Sequence, residues 1–241
     1  MKTQIFSILS YAFYPAVAVL LGGVVALVRT PGESMRSAIQ HFTAGVIFAA
    51  LATELLPEVM HKRMPLVTIA GFTLGVIVML GMKHFTEKLG QKGIAQTKRP
   101  TSLIFTLGID VALDGMLIGL GFAAGQKQGL LLTIALSLEV LFLGMSASAA
   151  LGKAEISRKM ILLTIALFAG LLLSGSLVGA VLLSVASVAM LDAVLAFGLA
   201  ALLYLVTEEL LVEAHETPET MFQTGMFFFG FIVLLVIEML L

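Results

Sequence analysis

Three acidic residues lie inside long apolar stretches of the chain. Asp110 and Asp114 interrupt the run at about 102–125, and Glu139 interrupts the run at about 130–151. An acidic residue at the centre of a bilayer costs roughly 2.5–3.5 kcal/mol on insertion scales, so three of them indicate a specific role. Asp110 and Asp114 are four residues apart, so on a helix they share one face, about one turn apart. Such carboxylates are typical of sites that bind a metal ion or relay protons.

The depth of each acid in a membrane follows from the helical rise. If the run from 102 ascends and the run from 131 descends, Asp114 lies about 18 Å above one edge and Glu139 about 12 Å below the other. In a hydrocarbon core about 30 Å thick these depths coincide. We therefore expect Asp114 and Glu139 to meet near the midplane, with Asp110 one turn further in. Because gathered carboxylates repel one another, the site would bind a cation or protons; alternatively, protonated acids would hydrogen-bond between the helices.

The composition places these acids in a membrane protein. Of the 241 residues, 59% are hydrophobic and 12% are charged, and the mean hydropathy is +1.08. A soluble fold of this length would expose too much apolar surface, which excludes a soluble enzyme and a disordered chain. The net charge of -1 gives no reason to expect nucleic acid as a partner. With no Cys and no nucleotide-binding or hydrolase motif, we expect no enzyme activity and no catalytic cofactor.

Eight stretches are long enough to cross the hydrocarbon core as helices, which needs about 20 residues each. They predict an all-α, polytopic protein that forms a single transmembrane domain over residues 1–241. The first is expected to be a retained helix, broken or kinked near Pro15, rather than a signal peptide. The polar segment from Lys83 to Pro100 is expected to be a flexible loop. The stretches lie at about 5–28, 35–58, 65–82, 102–125, 130–151, 159–185, 190–212 and 221–240.

Lys and Arg in the short loops predict the orientation. If both termini are outside, ten of these basic residues fall in cytoplasmic loops and four fall outside. The cytoplasmic loops are then those around 29–36, 83–99 and 153–159. The sequence therefore predicts a multi-pass protein of the cell membrane with both termini outside.

A short motif recurs at the ends of the second and seventh spans. Residues 54–58 and 209–213 share the pattern Glu-Leu-Leu-x-Glu, and a histidine follows each, at His61 and His215. Because these spans run in opposite directions, the copies lie at opposite faces, and inverted repeats of this kind are typical of transporters. Each copy would attract cations at one mouth of a pathway, or would be a solvated helix end. The residues concerned are Glu54, Glu58 and His61 at one mouth, and Glu209, Glu213, His215 and Glu216 at the other.

Small residues four apart predict close helix packing in several spans. The pairs are Gly71 with Gly75, Gly115 with Gly119, Gly121 with Gly125, and Gly175 with Gly179. Ser146 and Ser148 extend a small face of the fifth span and would serve packing or line a pore. His41 opens the second span, either as an interfacial helix-start residue or as a ligand near the inner mouth.

Over nearly its whole length the chain resembles the ZIP family of metal-ion transporters, as a divergent member of bacterial type. The second span, from His41-Phe42-Thr43-Ala44-Gly45-Val46 to the motif at 54–58, resembles that family's second helix. Residues 203–216 resemble its seventh helix, and Gly230-Phe231 fits its eighth. The resemblance implies eight helices with inverted repeats, 1–3 and 6–8, around helices 4 and 5, which carry the metal site. It also implies import into the cytosol by rocking helices 1, 4, 5 and 6 against the rest.

The resemblance implies a metal site that differs from the family motifs. The fourth-helix motif is His-Asn-x-x-Asp/Glu-Gly, and here Asp114-Gly115 is kept while Asp110 and Val111 replace His and Asn. The fifth-helix motif is His-Glu-x-x-Glu-Gly-x-x-x-Gly. Aligned on Gly144, it places Glu139 at the second Glu. The apolar replacements are Ala135 and Leu136 at its His-Glu pair, and Leu172 near the site acid that some members carry on the sixth helix.

These replacements predict one all-carboxylate metal site made by Asp110, Asp114 and Glu139. Zn²⁺ prefers imidazole or thiolate ligands, whereas oxygen-only sites suit harder ions such as Mn²⁺, Mg²⁺ or Ca²⁺. Zinc, manganese and iron all stay open as the transported ion.

Our main hypothesis is a ZIP-like secondary transporter that moves a divalent metal ion across the membrane without ATP. Two alternatives stay open: a proton-coupled carrier of another small solute, and a transport-inactive ZIP-like membrane protein. The expected partners are the metal ion and the lipid bilayer, and a homodimer is left open.

Overall fold

In a computed structural model of the chain, all regular structure in the described residues is helical. The structure describes residues 2–29, 31–91, 101–215 and 220–240, without the side chains of 2–5, 85–91, 101–102, 123–124 and 183–185. Eight helices in this part of the chain are long and apolar enough to cross a membrane, which confirms the predicted all-α, polytopic architecture. They are α1 (Lys2–Val28), α2 (Glu33–Lys62), α3 (Pro65–Gln91), α4 (Thr101–Ala124), α5 (Gln126–Lys153), α6 (Arg158–Val185), α7 (Val188–Ala214) and α8 (Met221–Leu240).

The structure corrects two details of the predicted spans. The helix α1 is not broken at Pro15 but continues through it; a kink there stays a prediction. The helix α3 continues to Gln91, so the first half of the expected loop from Lys83 is helical. Its remainder, residues 92–100, lies outside the described residues.

The helices pack in two groups of four. Within the first group, α1 packs on α5 and α6, and α4 packs on α5 and α6. In the second, α2 packs on α8, α3 packs on α7, and α2 meets α7. Contacts between the groups are fewer and are made mainly by α2 with α5 and by α4 with α7. This is the division into helices 1, 4, 5 and 6 against 2, 3, 7 and 8 that the resemblance implied.

Glycines allow the closest helix pairs to touch through their backbones. A Cβ at Gly115 would overlap the carbonyl oxygen of Leu172, and a Cβ at Gly175 would overlap that of Ala112, so α4 and α6 are in direct backbone contact. The glycines of α3, at positions 71 and 75, approach α7 in the same way. The predicted pair of Gly121 and Gly125 does not form one helix face, because Gly125 lies between α4 and α5, just before α5, with φ 155°.

The helices α2 and α7 each contain one π-helical turn, in which the hydrogen bonds span five residues rather than four. These turns are Leu51–Leu55 in α2 and Leu205–Leu210 in α7. Each turn contains the first glutamate of the repeated Glu-Leu-Leu-x-Glu motif, Glu54 or Glu209. The two copies of the motif therefore share a local backbone distortion as well as a sequence.

Candidate metal site

The three acids predicted from the sequence converge in the first group of helices. Asp110 and Asp114 project from the middle of α4, and Glu139 projects from the middle of α5. One carboxylate oxygen from each residue lies within 4.8 Å of the other two. The four-residue spacing on α4 places both aspartates on the side that faces α5. The three acids therefore form one buried cluster between α4 and α5. Its depth at the membrane midplane stays a prediction.

The cluster is buried and short of hydrogen-bond donors. Asp110, Asp114 and Glu139 are 9%, 3% and 2% exposed. Both oxygens of Glu139 and Oδ2 of Asp114 are buried without a hydrogen-bond partner among the described residues. Three carboxyl groups in so small a volume repel one another when ionised, and little in the protein offsets that repulsion. A divalent cation coordinated between them would satisfy the oxygens and cancel most of the charge.

The positions where the family carries further ligands are apolar and fully packed here. Val111, Ala135, Leu136 and Leu172 are each at most 1% exposed and belong to the main hydrophobic cluster. These side chains surround the acids with a low-dielectric environment but offer no donor atom to a metal. The site in this chain therefore presents oxygen ligands from its side chains.

A fourth carboxylate, Glu209 of α7, approaches the cluster from the second group of helices. It lies close enough to interact electrostatically with Asp110, Asp114 and Glu139. A cavity of about 580 Å³, including its open mouth, is lined by Asp110, Glu139, Ser146, Glu209 and Glu213. From the sequence, Glu209 was assigned to a mouth at the helix end. Glu209 lies within the π-helical turn Leu205–Leu210, and such a turn leaves no clear signal in the residue types.

The lining of the cavity extends to Glu213, near the end of α7 that the sequence predicts to be cytosolic. There the Glu213 carboxylate accepts hydrogen bonds from Arg36 (Nη2–Oε2 2.9 Å) and Gln40 (Nε2–Oε2 2.7 Å). The rings of His41 and His215 lie 5.3 Å apart, and the His41 side chain is buried between helices. Of the mouth residues proposed on this side, Glu216 lies outside the described residues.

The other copy of the motif lies at the opposite face and is arranged differently. Glu54 is 4% exposed, and its side chain accepts a hydrogen bond from Gln128 at the start of α5. Glu58 instead forms a salt bridge with Lys62 (2.6 Å) one turn along the same helix. The His61 ring forms a hydrogen bond with the carbonyl of Pro57 (3.0 Å). Glu58 and His61 therefore interact with residues of their own helix near its end.

Comparison with known families decides what kind of protein carries this site. A family model described as ZIP zinc transporter matches residues 86–238, which is more than half of the chain. This chain belongs to the ZIP family. The family match and the eight apolar helices make it a multi-pass membrane protein and a metal-ion transporter, and its membership fits the expectation that it is not an enzyme. Comparison with curated proteins gives no match.

Proposed function

We propose that this ZIP-family protein moves a divalent metal ion through the carboxylate site in the middle of the membrane. Asp114 and Glu139 are the primary ligands, and Asp110 is a third ligand or the next station along the path. The observation that supports this most strongly is the set of buried carboxylate oxygens without partners. A fold that only needed packing would place apolar side chains there, because each unpaired buried acid destabilises the protein.

The ligand chemistry favours harder divalent ions over zinc. With Asp110 in place of histidine, and with Ala135 and Leu136 in place of a further His-Glu pair, no imidazole is available from these positions. Carboxylate oxygens suit Mn²⁺ and other oxygen-preferring ions, whereas Zn²⁺ gains more from nitrogen or sulfur ligands. We therefore propose that manganese or iron is carried at least as well as zinc.

The proposed direction is into the cytosol. The cavity that begins at Asp110 and Glu139 runs towards the predicted cytosolic face, and two further acids, Glu209 and Glu213, lie along it. At the opposite face, the hydrogen bond from Gln128 to Glu54 joins α5 to α2 and thus joins the two groups of helices. This arrangement corresponds to the inward-facing state of an alternating-access cycle, in which an ion leaves the midplane along a series of carboxylates.

The decisive test is metal uptake into proteoliposomes by the wild type and by the Asp114→Ala variant. We expect Mn²⁺ uptake down its gradient in the wild type, without ATP, and loss of most of that uptake in the variant. Flux of protons in the absence of any divalent ion, measured in the same vesicles, distinguishes a proton-coupled carrier of another solute. Equal metal uptake by both proteins would overturn the assignment of the site.

A further inference from the structure

A second and larger cleft opens beside the metal cavity, on the face that the sequence predicts to be cytosolic. It encloses about 1380 Å³, including its open mouth, between the start of α2, the ends of α1 and α5, and the start of α6. Ser146 and Phe142 line both this cleft and the metal cavity, so the two are neighbours on either side of α5. Nothing in the proposed transport path requires this second cleft.

The rim of the cleft is basic. Arg36, Lys153 and Arg158 line it, and of its described lining residues Glu33 is the one acid. Arg36 also forms a salt bridge with Glu213, whereas neither Lys153 nor Arg158 forms a salt bridge with a described residue. The helices α2 and α6 both begin at this rim, at Glu33 and Arg158, and helix N-termini favour negative charge. A divalent cation would be repelled here, whereas an anion would be attracted.

The turn between α5 and α6 fixes the backbone positions of Lys153 and Arg158. Glu155 adopts a left-handed conformation, with φ 62°. The N–H of Ile156 donates to the carbonyl of Leu151 (3.1 Å), and the N–H of Glu155 donates to that of Gly152 (3.0 Å). This pair of bonds is the Schellman motif, which ends a helix and reverses the chain in a defined geometry. Lys153 and Arg158 therefore flank an ordered turn.

Deeper in the cleft, a buried hydroxyl lacks a partner. Ser148 lines the cleft and is 2% exposed, and its Oγ forms no hydrogen bond with a described residue. Buried polar groups are nearly always hydrogen-bonded, so an unpaired hydroxyl in a cleft indicates a missing partner. A phosphate oxygen would accept this hydroxyl proton and would at the same time lie within the field of the basic rim.

Most of the remaining lining of the cleft is apolar. Leu27 of α1, Phe142 and Met145 of α5, and Ile161 of α6 form much of its wall. A site for a free anion has no need of such a wall, whereas the acyl chain of a lipid would be buried against it. Basic pockets between membrane-spanning helices at the cytoplasmic side are suited to anionic lipid head groups.

We infer that this cleft binds the phosphate group of an anionic phospholipid, with Lys153 and Arg158 holding the charge and Ser148 donating a hydrogen bond. The cleft joins the two groups of helices, because Arg36 belongs to α2 while Lys153 and Arg158 belong to α5 and α6. A bound lipid would therefore bridge the groups in the arrangement described here. Its occupancy would regulate transport without touching the metal ligands.

The test is native mass spectrometry of the purified protein titrated with phosphatidylglycerol and, separately, with phosphatidylcholine of the same chain length. We expect tighter binding of phosphatidylglycerol to the wild type. The Lys153→Gln, Arg158→Gln double variant removes two positive charges near the head group and should weaken that binding roughly 25-fold, at about fivefold for each charge. The matched control is the Lys62→Gln, Arg63→Gln pair, which removes the same charge at the opposite face and should leave binding unchanged.

A second pair of variants tests the buried hydroxyl independently of charge. Ser148→Ala should weaken phosphatidylglycerol binding by about fivefold. Ser174→Ala, at an exposed position whose hydroxyl bonds its own helix at Leu171, should leave it unchanged. Retained affinity in both the Lys153/Arg158 and the Ser148 variants would overturn the site. Inorganic phosphate that bound as tightly as the lipid would overturn the assignment to a lipid.

Discussion

At the scale of single residues, the chain concentrates negative charge where a membrane protein tolerates it least. Asp114 and Glu139 are almost fully buried, and three of their four carboxylate oxygens have no partner among the described residues. Hydrogen bonds in the protein therefore do little to stabilise the ionised site. The side chains must share protons or bind a cation, and in a metal-ion transporter the cation is the substrate.

Equilibrium metal binding tests the role of Asp114 against that of another buried acid. We expect Asp114→Asn to weaken Mn²⁺ binding by roughly a hundredfold or more, since even residues that only orient metal ligands contribute 10–100-fold. Isothermal titration calorimetry of the purified protein measures this. Asp192→Asn is the control, because Asp192 is also fully buried but accepts its hydrogen bond from Thr68 (2.9 Å), outside the cluster. Equal losses in the two variants would mean that the affinity change reflects general destabilisation.

The ion preference can be changed at the position where the family motif has histidine. Asp110→His restores an imidazole, so the ratio of Zn²⁺ to Mn²⁺ affinity should rise by about tenfold. Competition binding with both ions measures the ratio. Asp110→Asn should lower the affinity for both ions and leave the ratio near its wild-type value. An unchanged ratio in the Asp110→His protein would contradict the idea that residue 110 contacts the ion.

The sequence predicted the cluster of Asp110, Asp114 and Glu139, because charge inside an apolar run is a strong signal and helical rise relates the depths of residues on neighbouring helices. It did not predict that Glu209 joins them. Counting residues places Glu209 near the end of α7 but not on a particular side of it, and Glu209 lies within the π-helical turn Leu205–Leu210, where side-chain directions depart from those of a regular α-helix. A local change in hydrogen bonding has no fixed residue signature, so pattern alone could not reveal it.

At the scale of elements, the two motif copies show how one sequence pattern serves two purposes. Both end a span after a π-helical turn, but Glu209 turns towards the metal cavity while Glu54 turns towards Gln128 and the start of α5. The span limits were predictable to within a few residues, because apolar runs and loop charges mark them. The sequence did not predict that α3 extends to Gln91, because the polar residues from Lys83 onwards are compatible with either a solvated helix end or a loop.

The contact between α4 and α6 should fail when one glycine gains a methyl group. A Cβ at Gly175 would overlap the carbonyl oxygen of Ala112, which lies between Asp110 and Asp114. We expect Gly175→Ala to lower the free energy of unfolding by about 1–3 kcal/mol and to weaken metal binding, because α4 must move. Thermal unfolding in detergent and metal titration measure the two effects.

A second glycine of α6 provides the matched control for this prediction. A Cβ at Gly170 has nothing within 4 Å, so Gly170→Ala should be neutral or stabilising by up to about 1 kcal/mol. Similar stability of the two alanine variants would show that α4 and α6 are not held in backbone contact.

At the scale of the whole molecule, the two groups of helices carry different parts of the proposed path. Asp110, Asp114 and Glu139 belong to the first group, whereas Glu209 and Glu213 belong to the second. Relative movement of the groups would therefore separate the proposed metal site from Glu209 and Glu213. The sequence alone could not give this division, since helix partners depend on packing between distant segments; the family resemblance supplied it.

Rocking of the groups should stop when they are joined by a covalent bond. The chain has no cysteine, so the two introduced cysteines are the only thiols that can be cross-linked. Glu54 and Gln128 are hydrogen-bonded across the two groups at the predicted outer face. A hydrogen bond between two such long side chains does not by itself bring their backbones within disulfide distance, so the two introduced cysteines are joined by a reducible bifunctional thiol reagent. We expect this cross-link in the Glu54→Cys, Gln128→Cys protein to abolish metal uptake, and reductant should restore it.

The control is Thr68→Cys, Asp192→Cys, whose side chains meet within the second group, where the same cross-link should leave uptake unchanged. Because each protein is compared with itself before and after cross-linking, any loss caused by the substitutions cancels. Full uptake by the cross-linked Glu54/Gln128 pair would show that the ion crosses without separation of the two groups.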